Sequence, residues 1–443
     1  MQSAGVHALT RFGLGAGPAA LPPADPRAWL AAQLDGPDPA LATAPFRALP
    51  TGATALGALR ADAIARRLVL AAGEPLKGHF RSRSLAFFIA DARAALDWAV
   101  VTPAPFRERL VWFWANHFTV SIRQGGTLGL VGPFIREAIR PHVTGRFTDM
   151  VLAAERHPGM LLYLSNAYSV GPQSPLGRRT GRGLNENLGR ECMELHTVSL
   201  GARYTQADVT SMAKLLTGWS VSPARPPDGF LFRPFAHEPG PQTVMGQEFP
   251  PGEEGGLAAL RFLSTYKTTW TALAEKLVRH FVADDPPPRA VRRIEAVLAD
   301  TGGDLRATSL ALIDLPEAWQ PLTKLKTPVE YVVSVLRATP PASRGTPAYF
   351  AVLRKLGQPL WAAPLPNGWS DLAADWAGSD AVLGRIGFGH SRAARLPEAD
   401  PLELALAALG PTLRPPTATA IRRAGSRAEA VSLLFAAPEF QRR

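Results

Sequence analysis

The sequence predicts an all-α fold, a large multi-helix domain with long loops rich in proline and glycine, one of which carries the pattern of a short β-hairpin. Alanine and leucine recur at three- and four-residue spacings, the repeat of one helix face. The 42 prolines and 39 glycines cluster between these segments, so they mark connections. The segments with the helical repeat are 27–34, 60–71, 85–100, 147–155, 206–216, 271–281, 289–299 and 328–337.

Local signals mark two helix starts and one strand pair. Thr327 and Glu330 supply the N-cap and the acid of a capping box, with a proline at the first helical position. Thr205 and Asp208 mark a similar start. The β-favouring segments FLFRPF (230–235) and QTVMGQEF (242–249) predict a hairpin in which they pair with each other.

The domain organisation has two readings. At 443 residues the chain exceeds the usual size of one compact core, while 46% hydrophobic and 19% charged residues exclude a disordered protein. We therefore expect either a single domain over 1–443 or two helical sub-bundles, with the proline-rich stretch near 338–347 as the linker.

Charge, cysteine content and apolar segments limit which partners, cofactors and locations the sequence predicts for the protein. The net charge of +11 permits anionic partners, but the arginines are spread along the chain without a basic run, so nucleic acid is not expected. Cys192 is the only cysteine, which excludes intrachain disulfides and cysteine-based zinc sites. No segment resembles a signal peptide or has the roughly 18–20 apolar residues of a membrane span, so the sequence predicts a soluble cytoplasmic protein.

The segment NENLGRECMELHTVSLG (185–201) is the most informative part of the chain. Asn185 suits an N-cap and Gly201 a helix end, so one helix is expected from 186 to about 198. An apolar stripe runs along it, and Glu191 and Glu194 share a polar strip with Asn187 on one flank. The stripe consists of Leu184, Leu188, Cys192 and Leu195.

Two interpretations of these acids stay open. In the structural one, Glu191 and Glu194 pair with arginines of neighbouring helices and His196 bonds to a carbonyl. In the functional one, Glu191 is a general base or ligand of a divalent metal, Glu194 is its partner, and His196 is a further metal ligand or an acid. Since His196 would lie on the other flank of a regular helix, about 140° from Glu191, a second element would have to complete such a site.

Further candidates flank this segment. Arg178, Arg179 and Arg182 lie among glycines before the helix start, where, with Asn185 and Asn187, they could bind an anionic substrate, unless the loop is simply solvated. His117 lies in the aromatic stretch WFWANHF (112–118), where a core histidine is the alternative. His237, in a proline- and glycine-rich loop, is a candidate for substrate binding.

Several blocks together resemble a known family. They are HALTRFGLGAGP, WFWANHF, NENLGRECMELHTVSLGARYTQADVTSMAKLLTGW, HEPGPQTVMG, KTPVEYVVSVLRA, LGQPLWAAPLPNGW and APEFQRR, and they extend over almost the whole chain. In order and spacing they are similar to the bacterial family called domain of unknown function 1800. The resemblance implies a mainly helical protein, with relatives often exported and often encoded near a family similar to sulfatases and alkaline phosphatases, which implies such a partner.

The resemblance also bears on the site. This chain has Ala115 where the family commonly has a second histidine, and Ser165 where an aspartate is common. The remaining positions match the family pattern: His117, Asn185, Asn187, Glu191, Glu194 and His196.

Two functions follow from these observations. The first is an enzyme using Glu191, Glu194, His196 and His117 in acid–base or metal-assisted chemistry on an anionic or polar substrate. The second is a noncatalytic binding or assembly protein whose loops dock a protein or polysaccharide through Trp361, Trp369 and Trp376.

Overall fold

Helices built on the alanine- and leucine-rich segments form the framework of the protein. The computed structural model describes residues 2–18, 20, 22–339, 346–396 and 400–443, and these ranges contain 24 α-helices. The first twelve are α1 (Gln2–His7), α2 (Pro26–Ala32), α3 (Ala44–Arg47), α4 (Gly52–Ala71), α5 (Leu76–His79), α6 (Arg83–Val101), α7 (Pro105–His117), α8 (Val131–Phe134), α9 (Phe147–Arg156), α10 (Pro158–Tyr163), α11 (Pro175–Thr180) and α12 (Asn187–Glu191).

The second half of the chain continues the helical pattern. Its members are α13 (Gln206–Leu215), α14 (Glu253–Ser264), α15 (Lys267–Phe281), α16 (Pro288–Thr301), α17 (Leu305–Asp314), α18 (Pro328–Ala338), α19 (Thr346–Lys355), α20 (Ser379–Ala393), α21 (Pro401–Leu409), α22 (Pro415–Arg423), α23 (Arg427–Ala436) and α24 (Pro438–Gln441). All eight segments with the helical repeat are helical, which confirms the all-α prediction. Both capping boxes are present, at the starts of α13 and α18.

Short helices of other types interrupt or extend the α-helices. The π-helical segments are Ala8–Phe12, Ile135–Ile139 and Cys192–His196. The 3₁₀ segments are Arg140–His142, Asn166–Tyr168, Leu200–Ala202, Pro234–Ala236, Pro316–Trp319, Ala373–Trp376 and Gly410–Thr412. Since π-helical turns are rare and often accompany functional sites, the segment among the predicted site residues is of particular interest.

The described chain has two small antiparallel sheets of two strands each. Strand β1 (Trp219–Val221) pairs with β2 (Phe230–Phe232), and β3 (Gln242–Val244) pairs with β4 (Gln247–Phe249). The predicted pairing of FLFRPF with QTVMGQEF is therefore wrong. Met245 and Gly246 both have positive φ, 50° and 82°, and such a two-residue turn closes QTVMGQEF on itself.

Buried hydrophobic residues form two clusters. The larger contains Phe113, Phe147 and Phe281, and the smaller contains Tyr331 and Phe435. Helix α7 lies between them, because Trp112 packs against the smaller cluster while Phe113 belongs to the larger. Of the linker expected near 338–347, residues 340–345 lie outside the described residues, so the division into sub-bundles stays a prediction.

Much of the positive charge lies inside the protein. Five arginines have fully buried side chains, and several are paired with carboxylates; Arg140, for instance, lies 2.7 Å from Glu108. The five are Arg11, Arg109, Arg140, Arg385 and Arg443. Among the described helices, none has the length and apolar character needed to cross a bilayer.

Candidate functional site

The acidic segment is not one regular helix. The chain is helical over 187–196, close to the predicted 186 to about 198, but α12 ends at Glu191 and continues as the π-helical turn Cys192–His196. Gly201 does not end this helix and lies in the following 3₁₀ segment. A π turn bonds residue i to residue i+5, which brings position 196 back towards position 191. Regular α-helical steps would put His196 on the opposite flank from Glu191, as expected from the sequence, and the π turn changes this position.

The π turn directs His196 into a buried hydrogen-bonded pair with Glu155. Its Nδ1 lies 2.7 Å from Oε1 of Glu155, and both side chains are almost completely buried. Within the described chain, neither Nε2 of His196 nor Oε2 of Glu155 has a hydrogen-bond partner. The sequence analysis missed Glu155, yet a signal exists: this acid continues the apolar stripe of α9, formed by Phe147, Val151 and Ala154.

Glu191 and Glu194 lie beside this pair but form no ion pair with any described residue. Arg190, the nearest candidate in sequence, pairs with Glu186 at 3.1 Å instead. Burial raises the pKa of Glu191, and Glu194 adds to the rise, while His196 opposes it. The charge of Arg190 on the same helix also lowers the pKa of Glu191, but no arginine of a neighbouring helix forms the expected ion pair with either acid among the described residues.

Two tyrosines surround the acids. Burial and the charge of Glu191 raise the pKa of Tyr163 to about 12. Burial and the charge of Glu194 raise the pKa of Tyr204. Both phenols therefore remain protonated at neutral pH, where they are available as hydrogen-bond donors.

His117 lies on the other side of the π turn. Its Nε2 is 3.2 Å from the backbone oxygen of His196, and its Nδ1 is 3.4 Å from Nζ of Lys276. Lys276 in turn donates to the backbone oxygen of Leu195 at 2.8 Å. The last two carbonyls of the π turn thus hold a histidine and a lysine, whereas the side chains of the turn face Glu155 and the acids.

His117 and Lys276 line a polar cleft of about 360 Å³. Helices α7 and α15 form two of its walls, and the loop 367–372 forms the third. The polar side chains that line it are Asn116, His117, Lys276, Arg279, Asp284, Asn367, Ser370 and Asp371. Of the predicted catalytic residues, His117 lines this cleft, while Glu191, Glu194 and His196 do not.

The cleft has an excess of positive charge. Asp284 forms an ion pair with Lys324, and Asp371 lies 2.7 Å from His280. In contrast, Lys276 and Arg279 form no ion pair with a carboxylate of the described residues. These two cations are three residues apart on α15, so they lie on one face of the helix.

Burial sets the protonation of the groups in the cleft. It lowers the pKa of Lys276 to about 8, with a further contribution from Arg279, and it lowers the pKa of His117 well below its usual range. Burial would raise the pKa of Asp371, but His280 and Arg443 outweigh it and the pKa is lowered. At neutral pH the cleft therefore contains a neutral imidazole beside an ammonium group that releases its proton readily.

Sequence reasoning missed Lys276 and Arg279. A signal for Lys276 exists, because it lies three residues after Leu273 and four before His280, both buried on the inner face of α15. The sequence carries no comparable signal for Asp371, which reaches the cleft through the fold of a loop.

The predicted anion-binding arginines lie elsewhere. Arg178, Arg179 and Arg182 are exposed, and the loop expected around them contains the short helix α11. Asn185 is not the N-cap; its Oδ1 accepts from the backbone N–H of Asn187 at 2.9 Å, and Glu186 occupies the cap position. None of these five predicted substrate-binding residues lines the polar cleft.

His237 has a local role in its loop. One ring nitrogen, Nδ1, lies 2.9 Å from the backbone oxygen of Thr217, and the other, Nε2, accepts from the backbone N–H of Gly252 at 2.7 Å. Burial lowers the pKa of His237, which agrees with a neutral ring. Both nitrogens are thus engaged in joining two parts of the chain, and neither is left for a substrate.

The expected metal pair has no third ligand. Across the described ranges, no group of three or more histidine, cysteine, aspartate or glutamate side chains is arranged to hold a metal ion. Glu191 and His196 as ligands of a divalent metal therefore stay a prediction from sequence.

Comparison with known proteins gives one match. The family model described as protein of unknown function (DUF1800) matches residues 7–442, nearly the whole chain. No curated protein and no solved structure matches.

Proposed function

The chain belongs to the DUF1800 family, and we propose that it is an enzyme that uses acid–base chemistry on an anionic substrate held in the polar cleft. The observation that carries this proposal is the pair Lys276 and Arg279, two cations on one helix face, lining a cleft and without a carboxylate partner among the described residues. Both side chains are half-buried, so two neighbouring cations without a carboxylate partner in a cleft favour an anionic ligand.

The roles of the two cations differ. Arg279 presents several N–H donors in a planar guanidinium group, so it binds and orients the anion. Lys276, with its pKa lowered to about 8, exchanges a proton close to neutral pH and acts as the general acid or base. One of its three N–H donors is used on the carbonyl of Leu195, which leaves the others for His117 and the substrate.

His117 positions and assists Lys276. The contact of Nε2 with the carbonyl of His196 requires a proton on that nitrogen, so Nδ1 carries the lone pair that faces the ammonium group of Lys276. A neutral histidine in this tautomer accepts a hydrogen bond from Lys276 at Nδ1 and holds the ammonium group in place. We assign His117 to the positioning of Lys276.

The acidic cluster, which consists of Glu155, Glu191 and Glu194 around His196, supports the cleft indirectly. The pair of Glu155 and His196 fixes the π turn whose carbonyls hold Lys276 and His117. On this proposal His196 is a positioning residue. Glu191 and Glu194 do not line the cleft, and the catalytic role predicted for them from sequence is not needed for the chemistry proposed here.

Binding of sulfate tests this proposal, because sulfate stays a dianion across the useful pH range. We expect calorimetric titration at pH 7 to show binding that Lys276→Met and Arg279→Gln each weaken at least about tenfold, as for one lost charge-assisted contact. Arg292→Gln changes an exposed arginine on the neighbouring helix α16 and is the matched control. Wild-type affinity in both cleft variants would overturn the proposal.

Turnover separates an enzyme from a binding protein. We expect Lys276→Met to lower the rate on a panel of small anionic esters and phosphoesters by about 100-fold or more, the usual effect of losing a general acid or base. Sulfate binding without turnover of any panel member would favour the alternative, a noncatalytic binding protein. The tryptophans expected to dock such a partner give that alternative little support, since Trp376 is buried and Trp361 and Trp369 are half-buried.

A further inference from the structure

A second hollow adjoins the polar cleft. Its volume is about 140 Å³, and it lies between the two hydrophobic clusters. The side chains that line it are mainly apolar and include Val111, Trp112, Val120, Leu360 and Trp361. Cavities of about 150 Å³ with such a lining accommodate a benzene ring.

The two hollows share one wall. Phe113, Asn116, Trp369, Ser370 and Asp371 line both of them. Lys276 and Arg279 line only the polar cleft, and Trp361 lines only the apolar hollow. The two cavities are therefore neighbours, with cations on one side of these five residues and the apolar lining on the other.

Charged groups near the apolar hollow are already neutralised. Glu108 lies 2.7 Å from Arg140, and Glu330 accepts from Arg443 at 2.9 Å. His280 and Asp371 form the pair described above. Burial lowers the pKa of His280, so the cation that faces Asp371 is Arg443, at 3.6 Å. Because these carboxylates each face an arginine, an uncharged hydrocarbon body suits this hollow.

We propose that the ligand is an amphipathic anion: a carboxylate or phosphate head group bound by Lys276 and Arg279, joined to a ring-sized apolar body that occupies the 140 Å³ hollow. This inference rests on the proposed function for the position of the head group and adds the chemical class of the remainder. It excludes simple inorganic anions and sugar acids as the preferred ligands, since neither can fill an apolar hollow.

Two matched pairs of ligands test the inference. We compare acetate with phenylacetate, and inorganic phosphate with phenyl phosphate, by calorimetric titration at pH 7. The ring should strengthen binding at least about tenfold in the pair with the preferred head group, because it removes an aromatic surface from water. The pair that binds more tightly identifies the head group as carboxylate or phosphate.

A variant that fills the hollow tests the location. Ala115 lines the apolar hollow and not the polar cleft, so in the pair with the preferred head group Ala115→Phe should bring the affinity ratio of the aromatic anion to the anion without a ring close to one. Ala65→Phe, on an exposed position of α4, is the control and should keep the wild-type ratio. If Ala115→Phe does not fold, the wild-type protein is titrated in the presence of saturating toluene instead. Toluene should weaken the binding of the aromatic anion but not the binding of the anion without a ring.

The outcomes separate the two proposals. Equal affinity with and without the ring in both pairs would overturn the proposal of an amphipathic ligand, but it would leave the proposed anion site intact. A ring effect that neither Ala115→Phe nor toluene reduces would also overturn it. Absence of binding by all four anions would contradict the proposed function itself.

Discussion

The side chain of Asn116 pairs with both backbone groups of Trp369. Its Nδ2 donates to the carbonyl of Trp369 at 2.9 Å, and its Oδ1 accepts from the N–H of Trp369 at 2.7 Å. The amide thus makes the same pair of hydrogen bonds as a neighbouring β-strand would, and it holds the loop 367–372 against the end of α7. Since both residues line both hollows, this contact sets the wall that the polar cleft and the apolar hollow share.

Removal of this amide should loosen the loop. Asn116→Ala leaves two backbone groups of Trp369 without a partner, so we expect a loss of about 1–3 kcal/mol in the free energy of unfolding. Faster hydrogen exchange at Trp369 should accompany it. Asn116→Asp retains the acceptor but not the donor, and its effect should be intermediate. Unchanged exchange at Trp369 in Asn116→Ala would show that other contacts hold the loop.

The neighbouring glycine is expected to be irreplaceable for steric reasons. Gly368 has φ of 78°, and a Cβ there would lie 2.6 Å from the backbone oxygen of Asn116. Gly357, at the start of the same loop, has φ of 85° with open space around it. Both alanine variants bear the cost of positive φ, about 1 kcal/mol, so Gly368→Ala should destabilise clearly more than Gly357→Ala in urea unfolding. Equal losses would contradict this packing of the loop.

Two glutamates of the acidic cluster should respond oppositely to the same substitution. Glu155→Gln weakens the bond to His196 in a buried site, and we expect a loss of about 1–3 kcal/mol in the free energy of unfolding. Glu191 has no ion pair among the described residues, so Glu191→Gln removes a poorly solvated charge and should leave the protein at least as stable at pH 7. Destabilisation by Glu191→Gln would instead indicate a structural role.

The pH dependence of Glu191 has a defined sign. Burial raises its pKa in the folded state, so the folded protein binds more protons than the unfolded chain between the ordinary value and the raised one. Wild-type stability relative to Glu191→Gln should therefore fall as the pH rises through this window. Unfolding measured from pH 4 to pH 7 checks the direction, and a flat difference would contradict it.

Lys276 should affect stability in the alkaline range. Its pKa in the folded protein is about 8, against 10.5 for a free lysine, so the unfolded chain binds more protons between these values. Stability of the wild type relative to Lys276→Met should therefore rise with pH in this window, by roughly 1–3 kcal/mol. Lys267→Met, at the exposed start of α15, should show no such trend in urea unfolding. A pH-independent difference for Lys276→Met would contradict the burial of its charge.

The sequence was informative wherever local chemistry determines structure. The capping residues Thr327 and Glu330 predicted the start of α18, because a cap depends only on neighbours in the chain. The family resemblance and the all-α fold are confirmed for the same reason: repeated helix faces and ordered motifs are local patterns. The predicted pairing of FLFRPF with QTVMGQEF was wrong because the turn at Met245 and Gly246, which both have positive φ, was not recognised.

Long-range contacts explain what sequence reasoning missed. Whether a helix continues as α or π depends on its surroundings, so the turn that brings His196 back towards Glu191 was not visible. Glu155 reaches His196 from 41 residues away, and Asn116 reaches Trp369 from 253 residues away. Lys276 was overlooked because a lysine within a helix is usually solvent-exposed, although its spacing from Leu273 and His280 places it on the inner face of α15.

The titration of Lys276 itself tests the anion cleft most directly. We expect modification of this residue by a limiting amount of acetic anhydride, followed by mass spectrometry of its peptide from pH 6 to pH 11, to give a midpoint near 8. Saturating sulfate should raise that midpoint and slow the reaction, because a bound anion stabilises the ammonium form. A midpoint near the 10.5 of a free lysine, unaffected by sulfate, would contradict both the enclosed cation and the anion site.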